Sequence, residues 1–501
     1  MSAGIGTVGV VGAGTMGRGI AQLCAQAGHD VLLHDADAGA LADARAFAGR
    51  MLARAAEKGR MTAEDAEAAA ARIRPAAGLA ELAPCDLVIE AIVEAEEPKR
   101  ALFAELAGLL APGAILATNT SSLSVSRLAA AVPGPERVAG LHFFNPVPVM
   151  RLVEVIAGVR TDPAVADRLA AFVEGLGHAP VRAADSPGFL VNHIGRGLYT
   201  EGLRVVQEGV APPPAVDDVM REAAGFRMGP FELFDLTGLD VSFPVTRSIY
   251  EQFWHEPRFR PTPLPPVRVA AGLLGRKSGE GFYAYDAEGR IVRPEPAPPP
   301  EGPDLPIHVV PGPEAEAVRA ALAGAGVALA EAPGPETVAL LAPLGEDATT
   351  AALAAGVDPE RAVAVDPLFG LEGRRTLMTT PVTRPETRDA AHAALARGGH
   401  AVTVIRDSPG LVAQRVVATI VNIACEMAQM RIATPGDIDR ATTLGLGYPA
   451  GPLALGDRLG PARIVQVLDA IARATGDPRY RASLWLRRRA ALGVSLTRED
   501  T

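Results

Sequence analysis

"IGTVGVVGAGTMGRGIAQLCAQAGHDVLLHD" (Ile5–Asp35) decides the fold. An apolar run ends in glycines, a stretch with helical periodicity follows to about Ala27, and a second apolar run closes on Asp35, which predicts a strand, helix, strand unit of about thirty residues. Gly12, Gly14 and Gly17 sit between strand and helix in the spacing G-x-G-x-x-G, where glycine permits the tight turn, the approach of a pyrophosphate to the backbone and close helix packing. Asp35 ends the next strand, placed to accept hydrogen bonds from a ribose diol and to repel a 2′-phosphate. NAD is therefore expected over NADP; FAD and a glycine turn without a ligand are the other readings.

Outward from this unit, apolar runs at Asp86, Ala114, Arg137, Arg151 and Ala179 alternate with helical segments and predict a mostly parallel, doubly wound α/β sheet over 1–184. From Asp185 the texture turns all-helical, to about 290. "RPEPAPPPEGPDLP" (Arg293–Pro306) cannot pack as helix or central strand, so 291–306 reads as a linker. Beyond it the alternating texture returns over 307–404 and a helical stretch over 405–501 closes the chain. "DSPGFLVN" (Asp185–Asn192) reopens as "DSPGLVAQ" (Asp407–Gln414), and the same offset of 222 residues continues through Gly229/Gly451, Asp235/Asp457 and Gly238/Gly460. One offset held over more than fifty residues indicates an internal duplication.

The second copy reads as degenerate. Pro311, Pro313 and Glu316 stand where Gly12, Gly14 and Gly17 stand, about Asp366 takes the place of His142, and Gln414 takes that of Asn192.

At 501 residues the chain exceeds one hydrophobic core, and its formal charge of −10 argues against a nucleic-acid partner. Cys24, Cys85 and Cys425 are far apart, with neither metal-ligand nor redox spacing. No metal is expected. No apolar run is long enough to span a bilayer, and the first strand starts too early for a leader, so a soluble, cytoplasmic chain is expected. Only three lysines, Lys58, Lys99 and Lys277, stand against a large excess of arginine.

"TNTSSL" (Thr118–Leu123) places Ser121 or Ser122 at a strand end, on the edge where such sheets bind ligands; a helix cap is the plainer reading. In "LHFFNPVPVMRLVEV", His142 ends one strand and Glu154 lies in the strand that returns. A carboxylate beside an imidazole fixes its tautomer and stabilises its protonated form, which suits a general base for a secondary alcohol; a satisfied core histidine is the plainer alternative. Asn192, early in the helix after "DSPG", supplies an amide for a substrate oxygen.

With "VGAGTMGRGIA", "EAIVE", "MGPFELFDLTGLD" and "GRKSGEGFY", these motifs resemble the L-3-hydroxyacyl-CoA dehydrogenase family over residues 1 to about 286. The resemblance implies NAD-dependent oxidation of an L-3-hydroxyacyl-CoA, with His142 as base, Glu154 as its orienting partner, and Ser121 and Asn192 on the substrate. It implies cofactor contacts from Thr15, Met16, Glu94, Lys99, Asn119, Asn145 and Lys277 besides the glycines and Asp35, and a coenzyme A contact from Lys58, whose usual serine companion is here Met51. The long form resembles members acting on 3-hydroxyadipyl-CoA in phenylacetate breakdown, with 3-hydroxybutyryl-CoA members close behind. Single-copy members pair through their helical domains, so the duplicate is expected to serve as an internal partner, a pseudo-dimer in one chain, with further homo-oligomers open. Two rivals remain. The β-hydroxyacid dehydrogenases use a lysine in the long helix, and the stretch Pro187–Gln207 has none; a non-catalytic NAD-binding protein on the same fold is the other.

Overall fold

The computed structural model describes residues 4–293, 300 and 302–500. In chain order come β1 (Thr7–Val11), α1 (Thr15–Gln26), β2 (Asp30–His34), α2 (Ala38–Glu57), α3 (Ala63–Arg72), β3 (Ile73–Pro75), β4 (Leu87–Glu90), α4 (Glu96–Leu109), β5 (Ile115–Thr118), α5 (Val125–Ala129), β6 (Val138–Phe143), β7 (Leu152–Ala157), α6 (Pro163–Gly175) and β8 (Ala179–Ala184). Among the described residues the eight strands form one sheet in the order β3-β2-β1-β4-β5-β6-β7-β8. All neighbours run parallel except β6 and β7. Helices cover the sheet, so its central strands β4, β5 and β6 are buried throughout and are mainly apolar, with Glu90, Thr118 and His142 near their carboxyl ends. Strand order reverses on either side of β1, which opens a crevice at the carboxyl edge over β1 and β4.

The helical stretch follows as α7 (Val191–Gln207), α8 (Pro213–Glu222), α9 (Pro230–Thr237), α10 (Leu239–Gln252) and α11 (Leu264–Ala270). A short hairpin pairs β9 (Ala284–Tyr285) with β10 (Ile291–Val292), so the expected linker starts later than residue 291. Its residues 294–299 and 301 lie outside the described residues. The second copy runs β11 (Ile307–Val309), α12 (Ala315–Gly324), β12 (Val338–Leu341), α13 (Ala348–Ala355), β13 (Ala362–Val365), β14 (Arg375–Thr379), α14 (Pro385–Ala396) and β15 (Val402–Ile405). Its sheet order is β11-β12-β13-β14-β15, again with one antiparallel pair, β13 with β14. Then come α15 (Ala413–Gln429), α16 (Pro435–Gly445), α17 (Pro452–Leu459), α18 (Pro461–Thr475) and α19 (Leu484–Leu492). Among the described residues no helix is long and apolar enough to cross a membrane.

The chain divides into two compact units, Met1–His193 with Met430–Leu446, and Ile194–Gln429 with Gly447–Thr501. This division differs from the boundaries expected from the repeat, because α16 leaves its own copy and joins the edge of the first sheet. There Ile432 accepts a hydrogen bond from the Ala184 amide at 2.7 Å, and Gly445 lies so close to Leu152 and Val191 that a Cβ would meet both at 2.8 Å.

The repeated DSPG motif performs the same structural task twice. Asp185 accepts from the Val125 and Ser126 amides and caps α5, while Asp407 accepts from the Ala348 and Thr349 amides and caps α13. Phe189 and Leu411, one offset apart, both hold φ of 49°. A left-handed bend kept in both copies belongs to the scaffold rather than to the chemistry.

Within the second unit the two helical copies meet at buried charges. Glu201 on α7 receives Arg415 of α15 at 2.9 Å, Arg479 at 2.8 Å and the Tyr480 hydroxyl at 2.8 Å, and its side chain and both guanidinium groups are shut away from solvent. "EPRFR" (Glu256–Arg260) and "DPRYR" (Asp477–Arg481) then face each other reciprocally: Arg258 donates to the Arg481 carbonyl at 3.0 Å, and Arg479 to the Arg260 carbonyl at 3.3 Å.

Candidate active site

The antiparallel register of β6 and β7 sets His142 directly opposite Glu154. Opposed residues in such a pair project from the same face. The His142 Nδ1 and the Glu154 Oε2 are 2.6 Å apart, with both side chains buried. The other carboxylate oxygen, Oε1, accepts from the Leu190 and Val191 amides at 3.0 and 2.9 Å. Glu154 thus caps α7, where free N–H groups favour negative charge. With Nδ1 committed to Glu154, the Nε2 of His142 is left to exchange a proton. The Phe144 ring lies 4.4 Å from the imidazole and the Phe189 ring 6.0 Å.

Ser121, after β5, belongs to a loop whose donors converge on one oxygen. The Glu94 Oε1 accepts from the Thr120 hydroxyl at 2.6 Å, from the Ser121 and Ser122 amides at 2.9 and 3.1 Å, and from the two serine hydroxyls at 3.3 and 3.0 Å. Burial pushes the Glu94 carboxyl up, but Lys99 and these hydrogen bonds outweigh it and hold it below its ordinary value. The Asn192 amide donates to the Ser121 carbonyl at 3.4 Å, and the Asn119 side chain accepts from the Phe143 amide at 2.8 Å. The loop is thereby tied to β6 beside His142. Asn145 is exposed in the turn after β6.

At the glycine loop, Gly12 holds φ of 101°, and a Cβ there would meet the Ala91 carbonyl oxygen at 2.5 Å; a Cβ on Gly17 would meet the Gly12 oxygen at 1.7 Å. Neither position admits a side chain. A Cβ on Gly14 would meet nothing, and Gly14, with exposed Thr15 and half-buried Met16 beside it, opens a helix N-terminus toward the crevice. Asp35 braces this loop by accepting from the Ala13 amide at 2.7 Å. The crevice has a volume of about 520 Å³ and is lined by Gly12, Gly14, Asp35, Ile92 and Leu102 among others, an apolar slot ending in a carboxylate that fits an adenosine. Asp35→Asn is expected to raise KM for NADH about tenfold, one charged hydrogen-bond acceptor being lost, and to narrow the preference for NADH over NADPH. Steady-state comparison of the two cofactors checks it.

The three lysines part company. Lys99 is fully buried on α4, its ammonium 2.6 Å from Glu90 and 3.3 Å from Glu94. Lys58 is exposed at the end of α2. Lys277 lies in the other unit, paired with Asp240 at 2.5 Å. Glu90, which opens the "EAIVE" motif, holds Lys99 and is itself held by the Thr118 hydroxyl, a contact that no sequence motif marks.

The second copy carries different groups at the matching places. Gln414 donates to the Pro343 carbonyl as Asn192 does to Ser121, so Pro343 stands where Ser121 stands. Asp366 occupies the His142 position and burial raises its carboxyl above the ordinary range. Thr376 follows the Glu154 position at the common offset. Cys24 and Cys85 are buried, and burial pushes both thiols up to about 12, which keeps them unreactive.

Residues 7–186 match the family described as 3-hydroxyacyl-CoA dehydrogenase, NAD binding domain, and residues 188–285 and 410–498 both match its C-terminal domain. A 3-hydroxyadipyl-CoA dehydrogenase of Escherichia coli K12 is 39% identical over 98% of this chain and 99% of its own. A 3-hydroxybutyryl-CoA dehydrogenase of Bradyrhizobium diazoefficiens is 45% identical over 57% of this chain and 97% of its own. Among solved structures, a 3-hydroxybutyryl-CoA dehydrogenase from Escherichia coli K12 superposes with a TM-score of 0.88 at 39% identity, covering 98% of this chain and 99% of that one.

Proposed function

The chain belongs to the 3-hydroxyacyl-CoA dehydrogenase family and is an NAD-dependent oxidoreductase, and on that premise we propose that it oxidises 3-hydroxyadipyl-CoA to 3-oxoadipyl-CoA with His142 as general base. Bound NAD supplies the hydride acceptor. The Nε2 of His142 takes the proton of the 3-hydroxyl while Glu154, already anchored by two amides, carries the countercharge of the imidazolium. Ser121 and Asn192 hold the 3-oxygen as it becomes a carbonyl. In reduction the same groups work in reverse, His142 returning the proton.

The single observation that favours the six-carbon diacid thioester is length. The relative bearing that name matches both halves of the chain, whereas 3-hydroxybutyryl-CoA relatives such as that of Bradyrhizobium diazoefficiens match little more than the first half. The full-length solved structure carries the 3-hydroxybutyryl name, and this supports the second reading. The ratio of kcat/KM for 3-oxoadipyl-CoA and acetoacetyl-CoA decides: a ratio above one supports the proposal, and a ratio below one replaces it with the four-carbon substrate. NADH binding without turnover of either thioester would leave a non-catalytic binding protein.

The second helical copy is proposed as an internal partner for the first. The reciprocal Arg258 and Arg479 bonds support this, since they have the self-complementary form of a two-fold interface. Ending the chain at Asp286 is expected to give an aggregating or self-associating protein by size-exclusion chromatography. A soluble, monomeric, fully active fragment would overturn the idea.

A further inference from the structure

We infer that Glu90 is a positioning residue for the reaction, acting through Lys99 and Glu94 on the hydroxyl of Ser121. The inference rests on the reading that Ser121 touches the substrate oxygen.

Glu90 ends β4 and is completely buried. A buried carboxylate needs hydrogen-bond partners on both oxygens, and three donors supply them here. Its Oε1 accepts from the Ile92 amide at 2.7 Å and from the Lys99 ammonium at 2.6 Å; its Oε2 accepts from the Thr118 hydroxyl at 2.8 Å. Thr118 ends β5, the strand that leads into the serine loop. Glu90 thus sits between the two loops that build the site. It fixes Lys99 on one side and the root of the serine loop on the other.

Lys99 is shared between two carboxylates, which bear two negative charges against its one positive charge. Glu94 therefore keeps part of its charge for the loop, where five donors aim at its Oε1. One carboxylate oxygen offers about two lone-pair directions, so the five donors compete. The two amides are set by the chain and the Thr120 oxygen is held by the Leu123 amide at 2.9 Å, whereas the serine hydroxyls can rotate. Of all five, the Ser121 hydroxyl is the farthest, at 3.3 Å. Its proton is the one most readily turned away from Glu94 and toward a substrate oxygen. For that hydroxyl to reach a substrate the loop must stay anchored on Glu94, and Glu90 secures the anchor by drawing Lys99 toward itself.

Glu90→Gln keeps the shape and removes the charge. Lys99 then pairs with Glu94 alone and draws it away from the loop. The expected result is a fall in kcat of about tenfold, the scale of one charge-assisted hydrogen bond weakened at one remove, larger than any change in the dissociation constant for NADH. A double-mutant cycle separates positioning from general support of the fold. In a Ser121→Ala background, itself impaired, Glu90→Gln should cost nothing further; an equal loss in both backgrounds, no loss at all, or a parallel loss of NADH affinity would overturn the inference. Thr118→Val frees the other end of Glu90 and should show the same dependence on Ser121 should Glu90→Gln fail to fold. An active enzyme indifferent to Ser121→Ala would overturn the reading of Ser121 as well, a result distinct from failure of the relay alone.

Discussion

Replacing His142 with glutamine is expected to lower kcat by about 10² to 10⁴, the range for loss of a positioned general base, while leaving NADH affinity intact. The imidazole Nε2 is the group that geometry leaves free for proton exchange, because Nδ1 is held 2.6 Å from Glu154. Glutamine can hydrogen-bond at that place but cannot take up a proton. Cofactor affinity should survive because the glycine loop and Asp35 form the crevice over β1, β2 and β4, and no crevice residue is supplied by β6. Stopped-flow reduction with saturating NADH separates the two effects.

Replacing Glu201 with alanine is expected to destabilise the protein by about 3 to 5 kcal/mol, the usual cost of removing one partner from a buried ion cluster. Two buried guanidinium groups would lose the carboxylate they share, Arg415 keeping only Glu208 and Arg479 only Asp477 at 3.4 Å. Burial alone would push the Glu201 carboxyl up, but Arg479, Arg415 and the Tyr480 hydroxyl overcome it and bring it down to about 2 from an ordinary 4.5. A depressed carboxyl stabilises the fold above its unfolded value, so this contribution is complete above about pH 4.5 and is lost as pH falls toward 2. Urea midpoints across that window should fall for the native chain and change less for Glu201→Ala. Equal midpoints for the two proteins at neutral pH would remove the cluster from the account.

What the sequence made legible was local or periodic. The first strand, glycine loop and helix were readable because turn chemistry and hydrophobic period agree within thirty residues. The duplication was readable because one offset persists. The strand, turn and returning strand of "LHFFNPVPVMRLVEV" bring His142 and Glu154 near each other, but a core histidine stays an alternative reading there; their direct opposition depends on a register that no short window states. Long-range placement was out of reach. Nothing in Pro435–Gly445 marks that α16 crosses to the edge of the first sheet, since that preference depends on a face built by residues 152–191. Glu90 carries no such signal, because a carboxylate at a strand end usually faces solvent, and its burial follows from Thr118 and Lys99 closing over it.

The most direct test is NADH consumption with 3-oxoadipyl-CoA by the native chain and by His142→Gln at equal cofactor saturation. Robust turnover that falls by about 10² or more in the variant, with NADH still bound, is the predicted result. Turnover that persists in His142→Gln at the native rate would contradict the assignment of the proton-transfer step to this histidine.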